Sequence, residues 1–167
     1  APIQLANCRS CGHTFNATFD PHLIQYGPDY ENSLHFSRRF QEYSSGLVAS
    51  LSSRHELSGR SVIEVGCGDG SFLRELCAAS GARGFGYDPS YDGPHLVDDK
   101  VHLDSTSYFD ATLADDPALV CNRHVLEHVE DPASFLRAIA AKLDARSEPS
   151  LYLEVPNGLF TLRDLGI

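Results

Sequence analysis

The residues best placed to do chemistry form one short run, Glu64-Val65-Gly66-Cys67-Gly68-Asp69-Gly70. It grows out of Ser61-Val62-Ile63-Glu64-Val65, which reads as a buried strand. It leads into Phe72, Leu73, Leu76 and Cys77, which recur at helical spacing. Glycines in such a turn remove the Cβ atoms that would hold a ligand away from the backbone. The helix start beyond them favours negative charge, such as a carboxylate. Eighteen residues after Gly70, at the end of a second strand over Arg83–Tyr87, stands Asp88. A carboxylate there accepts two hydrogen bonds from the vicinal hydroxyls of a ribose. Together these features predict a nucleoside-containing cofactor at the switch point of an α/β sheet. The dinucleotide fingerprint G-x-G-x-x-G is met only at Gly66 and Gly68, because the third small position falls on Ser71 and a glycine stands at Gly70 instead. A nicotinamide dinucleotide is therefore an alternative with the spacing against it, and a plain structural turn is another.

A second run, Arg123-His124-Val125-Leu126-Glu127-His128-Val129-Glu130-Asp131-Pro132, follows a strand over Ala118–Cys121. On a helix His124 and His128 share a face, while Glu127 points elsewhere. Two histidines without a third ligand make a weak metal site. The expectation is that His124 lies near the cofactor or its substrate, with Glu127 and His128 orienting the loop. A third feature is Cys8-Arg9-Ser10-Cys11-Gly12, which has the shape of a zinc knuckle. A structural zinc takes four ligands in a tetrahedron, and His13 and His22 follow no standard spacing. A redox C-x-x-C would open a helix in a thioredoxin-like unit, and the surroundings do not look like one. A metal-free pair stays open.

These groups need elements to hold them. Leu34, Phe36, Phe40, Tyr43, Leu47 and Leu51 recur mostly at steps of three or four, predicting a helix over about 33–52 capped by Asn32 or Ser33. Val101–Leu103 reads as a short third strand. Asp131 before Pro132 is a helix start, and Phe135, Leu136, Ile139, Ala140 and Leu143 give that helix one apolar face. Leu151–Val155 is a fifth strand, closed by Pro156-Asn157-Gly158. Strands separated by helices predict an α/β fold: a Rossmann-like, doubly wound, mostly parallel sheet with helices on both faces. Residues 1–32 are rich in turn formers and predict an irregular arm with one short strand. The organisation expected is thus an arm over 1–32 and a cofactor-binding domain over 33–167.

The 167 residues are 42% apolar and 22% charged, enough to bury a core. No apolar run approaches the roughly 18 residues of a membrane span, and Ala1–Ser10 does not look like a signal peptide. Thirteen basic against 23 acidic residues leave a net charge of −10, which repels phosphate backbones and argues against nucleic acid as a partner. A small molecule, or a protein that tolerates acidity, fits better. Five scattered cysteines do not form a disulfide framework, so a reducing, cytoplasmic compartment is expected. Cys67 and Cys121 are expected in the core, and His35, His55, His95 and His102 on the surface or in loops. The chain opens with Ala and has no Met, so it is expected to be part of a longer one.

The glycine run with Glu64 resembles motif I of the class I S-adenosylmethionine (SAM)-dependent methyltransferases. His124–Pro132 resembles the segment after the fourth strand of many small-molecule methyltransferases. Cys8-x-x-Cys11-Gly12, Phe15-Asn16, Phe19-Asp20-Pro21, Tyr30-Glu31-Asn32-Ser33, Phe36, Gly86-Tyr87-Asp88-Pro89-Ser90-Tyr91 and Glu154-Val155-Pro156-Asn157 extend the likeness over nearly the whole chain. The set resembles the zinc-containing C-methyltransferases, which methylate a carbon of nucleotide-linked deoxysugars. The resemblance implies that Glu64, Gly66, Cys67, Gly68 and Gly70 hold the methionyl end of SAM and that Asp88, with Pro89, holds the ribose. It implies that Asp104 and Ser105 lie near the adenine and that Tyr30 belongs to a lid. His124 would stand near the sulfonium or the substrate as the candidate catalytic residue, since a carbon nucleophile needs a base. Cys8 and Cys11 would be half of a zinc site. The other half, and the family's own catalytic residues, would lie outside Ala1–Ile167. The function expected is methyl transfer from SAM to a small-molecule acceptor, a carbon of a sugar-like substrate. The alternatives are a non-catalytic SAM-binding module and an NAD-dependent oxidoreductase.

Overall fold

The structure is a computed structural model that describes residues 3–20, 22, 37–113, 117–143, 148–158, 160 and 163. Tyr30 and the predicted helix start at residues 32–36 lie outside the described residues. The chain falls into two compact units, Ala1–Glu31 and Asn32–Ile167. In the first, strands β1 (Leu5–Asn7) and β2 (Thr14–Asn16) pair antiparallel with Ala6 opposite Phe15. One short strand was the expectation, and the described residues of the arm hold two. The Cys8–His13 turn closes the hairpin: Cys8 N–H donates to the His13 carbonyl at 2.8 Å and Gly12 N–H to the Cys8 carbonyl at 2.8 Å. Gly12 sits at φ +77°, in the left-handed region that glycine tolerates.

Among the described residues of the second unit the first element is helix α1 (Arg38–Arg54), capped by the Ser37 hydroxyl and not by the expected Asn32 or Ser33. Then come β3 (Ser61–Val65), α2 (Ser71–Ser80), β4 (Arg83–Tyr87), β5 (Leu96–Asp98), β6 (Val101–Asp104), β7 (Pro117–Arg123), a single 3-10 turn (Leu126–His128), α3 (Pro132–Ala141) and β8 (Ser150–Glu154). The sheet order is β5-β6-β4-β3-β7-β8. Every pairing is parallel except β5 on β6. β5 is a strand the sequence reading lacks, being three residues long and half exposed at the sheet edge. No helix joins β4 to β6 either, because Asp88-Pro89 and Gly93-Pro94 break the path between them.

All five residues of β3 and all seven of β7 are buried. One face of the sheet packs Val62, Leu119 and Cys121 under Leu73, Leu76 and Cys77 of α2 and Val48 and Leu51 of α1. The other packs Ile63, Val65 and Val120 against Ile139 of α3 and Tyr108. Helices therefore cover both faces, as the alternation of strands and helices predicts. α3 starts where Asp131 caps it, the carboxylate accepting Ser134 N–H at 2.9 Å with Pro132 in the first turn. Among the described residues no helix is long and apolar enough to cross a membrane. The chain runs outward from β3 to β4 and β6, then returns to β7 beside β3. The crevice at that reversal lies at the carboxyl ends of β3 and β7, where open α/β sheets take their ligands.

Candidate functional site

The loops after β3, β4 and β7 build the site. Gly66, Gly68 and Gly70 all sit at positive φ, +75°, +54° and +72°. A Cβ at Gly66 would overlap the Val125 side chain, and one at Gly70 would stand 2.5 Å from Leu103 Cδ1. A Cβ at Gly68 meets nothing within 4 Å. The outer two glycines are thus demanded by packing, whereas Gly68 faces open space. Its N–H donates to Asp88 Oδ2 at 2.8 Å. Ser90 N–H and hydroxyl hold the other oxygen, at 2.8 and 2.7 Å. The glycine turn and the acid after β4 therefore meet, as the sequence spacing requires.

Asp104 ends β6 opposite Tyr87, and its carbonyl accepts Asp88 N–H at 3.0 Å. Hydrogen bonds from Thr106 hold its carboxyl below the usual range. Asp104 thus lies next to Asp88, with Ser105 exposed just after it and Pro89 just after Asp88. Cys67 is buried, and burial raises its thiol far above the ordinary value. Its Sγ would be 2.6 Å from a Cβ at Gly86, so it walls the turn against β4 and is no nucleophile.

Glu64 is 3% exposed, in the middle of the sheet. Its Oε2 has no hydrogen-bond partner. Burial pushes its carboxyl up to about 8; Arg123 opposes this, and the charges of Asp69, Asp88 and Glu154 add to it. A buried carboxyl oxygen without a donor is expensive. It marks a place where a cationic or hydrogen-bond-donating ligand would be accepted.

A second cluster gathers at the ends of β7 and β8, where Arg123 pairs in register with Glu154. Arg123 Nε donates to Glu154 Oε2 at 2.7 Å, and its guanidinium lies 3.9 Å over the Phe72 ring. His124 Nε2 is 3.0 Å from Glu154 Oε1, and the Tyr43 hydroxyl of α1 donates to the same oxygen at 3.0 Å. Burial alone would raise the Glu154 carboxyl; hydrogen bonds from His124, Arg123 and Tyr43 and the Arg123 charge outweigh it and hold it at about 2. The His124 imidazole is raised by its hydrogen bond to Glu154, against burial. His124 has φ 53°, unusual for a residue with a side chain. Val125, its neighbour, is the residue Gly66 abuts, so the two clusters share one crevice.

One expectation fails. His124 and His128 do not share an α-helical face, since Leu126–His128 is a single 3-10 turn and His124 precedes it in a left-handed conformation. A zinc site is not shown in the arm. Cys8 and Cys11 supply two sulfurs, His13 stacks on Phe15 at 5.8 Å, and the described residues hold no group of three or more metal-binding side chains. A tetrahedral zinc takes four ligands, and the two sulfurs of the arm are the half of such a site that the resemblance implies. Arg123, Tyr43 and the hub role of Glu154 were not singled out as site residues in the sequence. The signal that could have found Arg123 and Glu154 is a charged residue ending each of two largely apolar strands.

Residues 35–165, most of the chain, match the family model described as a methyltransferase domain. Plantazolicin methyltransferase BpumL, solved with a monoazolic desmethylPZN analog and SAH, is 17% identical with a TM-score of 0.53, over 67% of this chain and 45% of that one. With SAH alone the same enzyme gives 17%, 0.55, 72% and 49%. A Methanococcus maripaludis protein provisionally described as an S-adenosyl-L-methionine-dependent methyltransferase gives 17%, 0.59, 77% and 62%. At these identities the likeness is one of fold. The chain spans about half the length of the structures it resembles, from 45% to 62%. No curated protein matches it. With the family model covering the glycine turn, Asp88, His124 and Glu154 alike, the chain belongs to the methyltransferase-domain family.

Proposed function

We propose that this chain is a SAM-dependent methyltransferase that serves a small-molecule acceptor, with a carbon of a sugar-like substrate as the acceptor class the family resemblance suggests. The observation that carries the reading is the 2.8 Å bond from Gly68 N–H to Asp88 Oδ2. It sets a ribose-type carboxylate beside a glycine that presents no side chain to the open space. The orphaned Glu64 Oε2 supplies the fit at the other end, where SAM carries an ammonium group. Glu64 and the turn Gly66–Gly70 would hold the methionyl end, Asp88 the ribose, and Asp104 and Ser105 the adenine side. When bound, SAM supplies a methyl on a positively charged sulfur, already activated for transfer. The protein has to align the nucleophile, exclude water and take up a proton. His124 is the residue assigned to the proton. The net charge of −10 supports a small molecule over a nucleic acid as the acceptor.

Calorimetric titration tests this. SAM and S-adenosylhomocysteine are expected to bind, and NADH is not. Asp88→Ala removes a charged acceptor of two hydrogen bonds, each worth about 1.5 kcal/mol or more. It is expected to weaken SAM at least tenfold. Binding of NADH in place of SAM, or an Asp88→Ala variant with unchanged affinity, would sink the assignment.

A further inference from the structure

The cluster around Glu154 is built more tightly than cofactor binding needs. The Glu154 side chain is only 10% exposed, yet it is met by Arg123 Nε at 2.7 Å, His124 Nε2 at 3.0 Å and the Tyr43 hydroxyl at 3.0 Å. Tyr152 adds a hydroxyl at 3.4 Å. An ionised carboxylate has no proton to give, so the hydrogen between Glu154 and His124 belongs to Nε2. In the neutral ring the lone pair is then on Nδ1. That atom faces Glu127 Oε1 at 3.6 Å, too far for a hydrogen bond and close enough for an ion pair once Nδ1 is protonated. Glu154 also holds the backbone, its carbonyl accepting His124 N–H at 2.9 Å. That bond helps to stabilise the left-handed conformation of His124.

We propose that Glu154 is the positioning residue of this site: it fixes His124 with Nε2 as donor, and so makes Nδ1 the atom that takes the proton of the methyl acceptor. The inference rests on the methyltransferase reading. In the step, the acceptor's proton goes to Nδ1 and its electron pair stays behind as the nucleophile. The methyl passes to that pair, and the sulfur keeps the electrons of the broken bond. The imidazolium left on His124 lies between Glu154 of β8 and Glu127 of the 3-10 turn. Hydrogen bonds from His124, from Arg123 of β7 and from Tyr43 of α1 keep Glu154 ionised, and the Tyr152 hydroxyl of β8 also faces it. The Glu154 charge in turn raises the Glu64 carboxyl of β3.

The test is nitrogen-15 NMR of the histidine rings in the full chain, with the His124 signal assigned through His124→Asn and SAM titrations run alongside. In the unsubstituted protein His124 is expected as the Nε2–H tautomer, titrating above 6.5. Glu154→Gln is expected to lower that midpoint by about one unit, a tenfold loss of proton affinity, and to leave SAM affinity within about twofold. An Nδ1–H tautomer, a midpoint at or below 6.5, or a Glu154→Gln midpoint that does not move overturns the proposal. So does a Glu154→Gln variant that stays folded and loses SAM tenfold, since Glu154 would then serve the cofactor. If Glu154→Gln fails to fold, the tautomer and midpoint of the unsubstituted protein decide. Failure of SAM to bind the unsubstituted protein sinks the methyltransferase reading instead, and the ring titration still decides the role of Glu154.

Discussion

Gly66→Ala is expected to destabilise the protein by roughly 2–5 kcal/mol, while Gly68→Ala costs about 1 kcal/mol and acts on binding. The two glycines are two residues apart in one turn, and both have positive φ, +75° and +54°. An alanine pays the left-handed penalty at either. The difference is what its methyl meets. At Gly66 it overlaps Val125, so the β3 and β7 loops must separate or the strand ends must shift. At Gly68 it meets no atom within 4 Å, so the fold has room for it. That room is the space beside the Asp88 carboxylate, where the proposed cofactor would lie. Urea denaturation of both variants should show a large fall in midpoint for Gly66→Ala and a small one for Gly68→Ala, at equal slope. Titration with SAM should show Gly68→Ala folded and at least tenfold weaker. Equal midpoints would mean that Val125 yields to the methyl. Undiminished SAM affinity in Gly68→Ala would place the ligand elsewhere.

The second large effect is one of pH. Glu64 is held at about 8 in the folded protein against an ordinary 4.5. Between those values the folded chain binds the proton that the unfolded chain has lost. This contribution to stability is complete below about 4.5 and is lost as pH rises through 8, by roughly 5 kcal/mol at most. Glu154 runs the other way. Held at about 2, it contributes stability above 4.5 that is lost as pH falls toward 2, roughly 3 kcal/mol. His124, raised by Glu154, adds stability that is also lost on the alkaline side. Denaturation across pH should therefore show greatest stability in mildly acidic solution. Glu64→Gln should flatten most of the fall between 5 and 8. A curve of the same steepness in Glu64→Gln would refute the buried, protonated carboxyl. Binding of SAM, which brings positive charge to Glu64, should release protons at neutral pH, up to one per ligand. Calorimetry in two buffers of different ionisation enthalpy measures that release directly.

How much of this could be read from the residues alone depends on how local each signal is. Ser61–Val65 and Arg83–Tyr87 coincide with their expected strands, because five-residue runs between turn formers constrain themselves. The start of α3 at Asp131-Pro132 and the left-handed turns at Gly66, Gly68 and Gly70 are equally local, set by side-chain capping and by the absence of a Cβ. The spacing from Gly70 to Asp88 carried further than that. One strand-helix-strand unit has a nearly fixed return geometry, and so the Gly68–Asp88 contact across 20 residues was legible. β5 was not, since an edge strand of three residues exists only because β6 offers it a partner.

The sequence by itself determined the α/β alternation, the glycine turn and the acid that faces it, all products of propensity, period and turn chemistry. The tertiary structure alone decided the centre on Glu154. Its partners Arg123 and Tyr43 stand 31 and 111 residues away. Their meeting follows from β7 lying beside β8 in one particular register and from α1 crossing to the same end of the sheet. Strand order and register are settled by the whole core packing at once. No local run of residues carries that information, and with it came the raised carboxyl of Glu64, the lowered one of Glu154 and the orientation of His124.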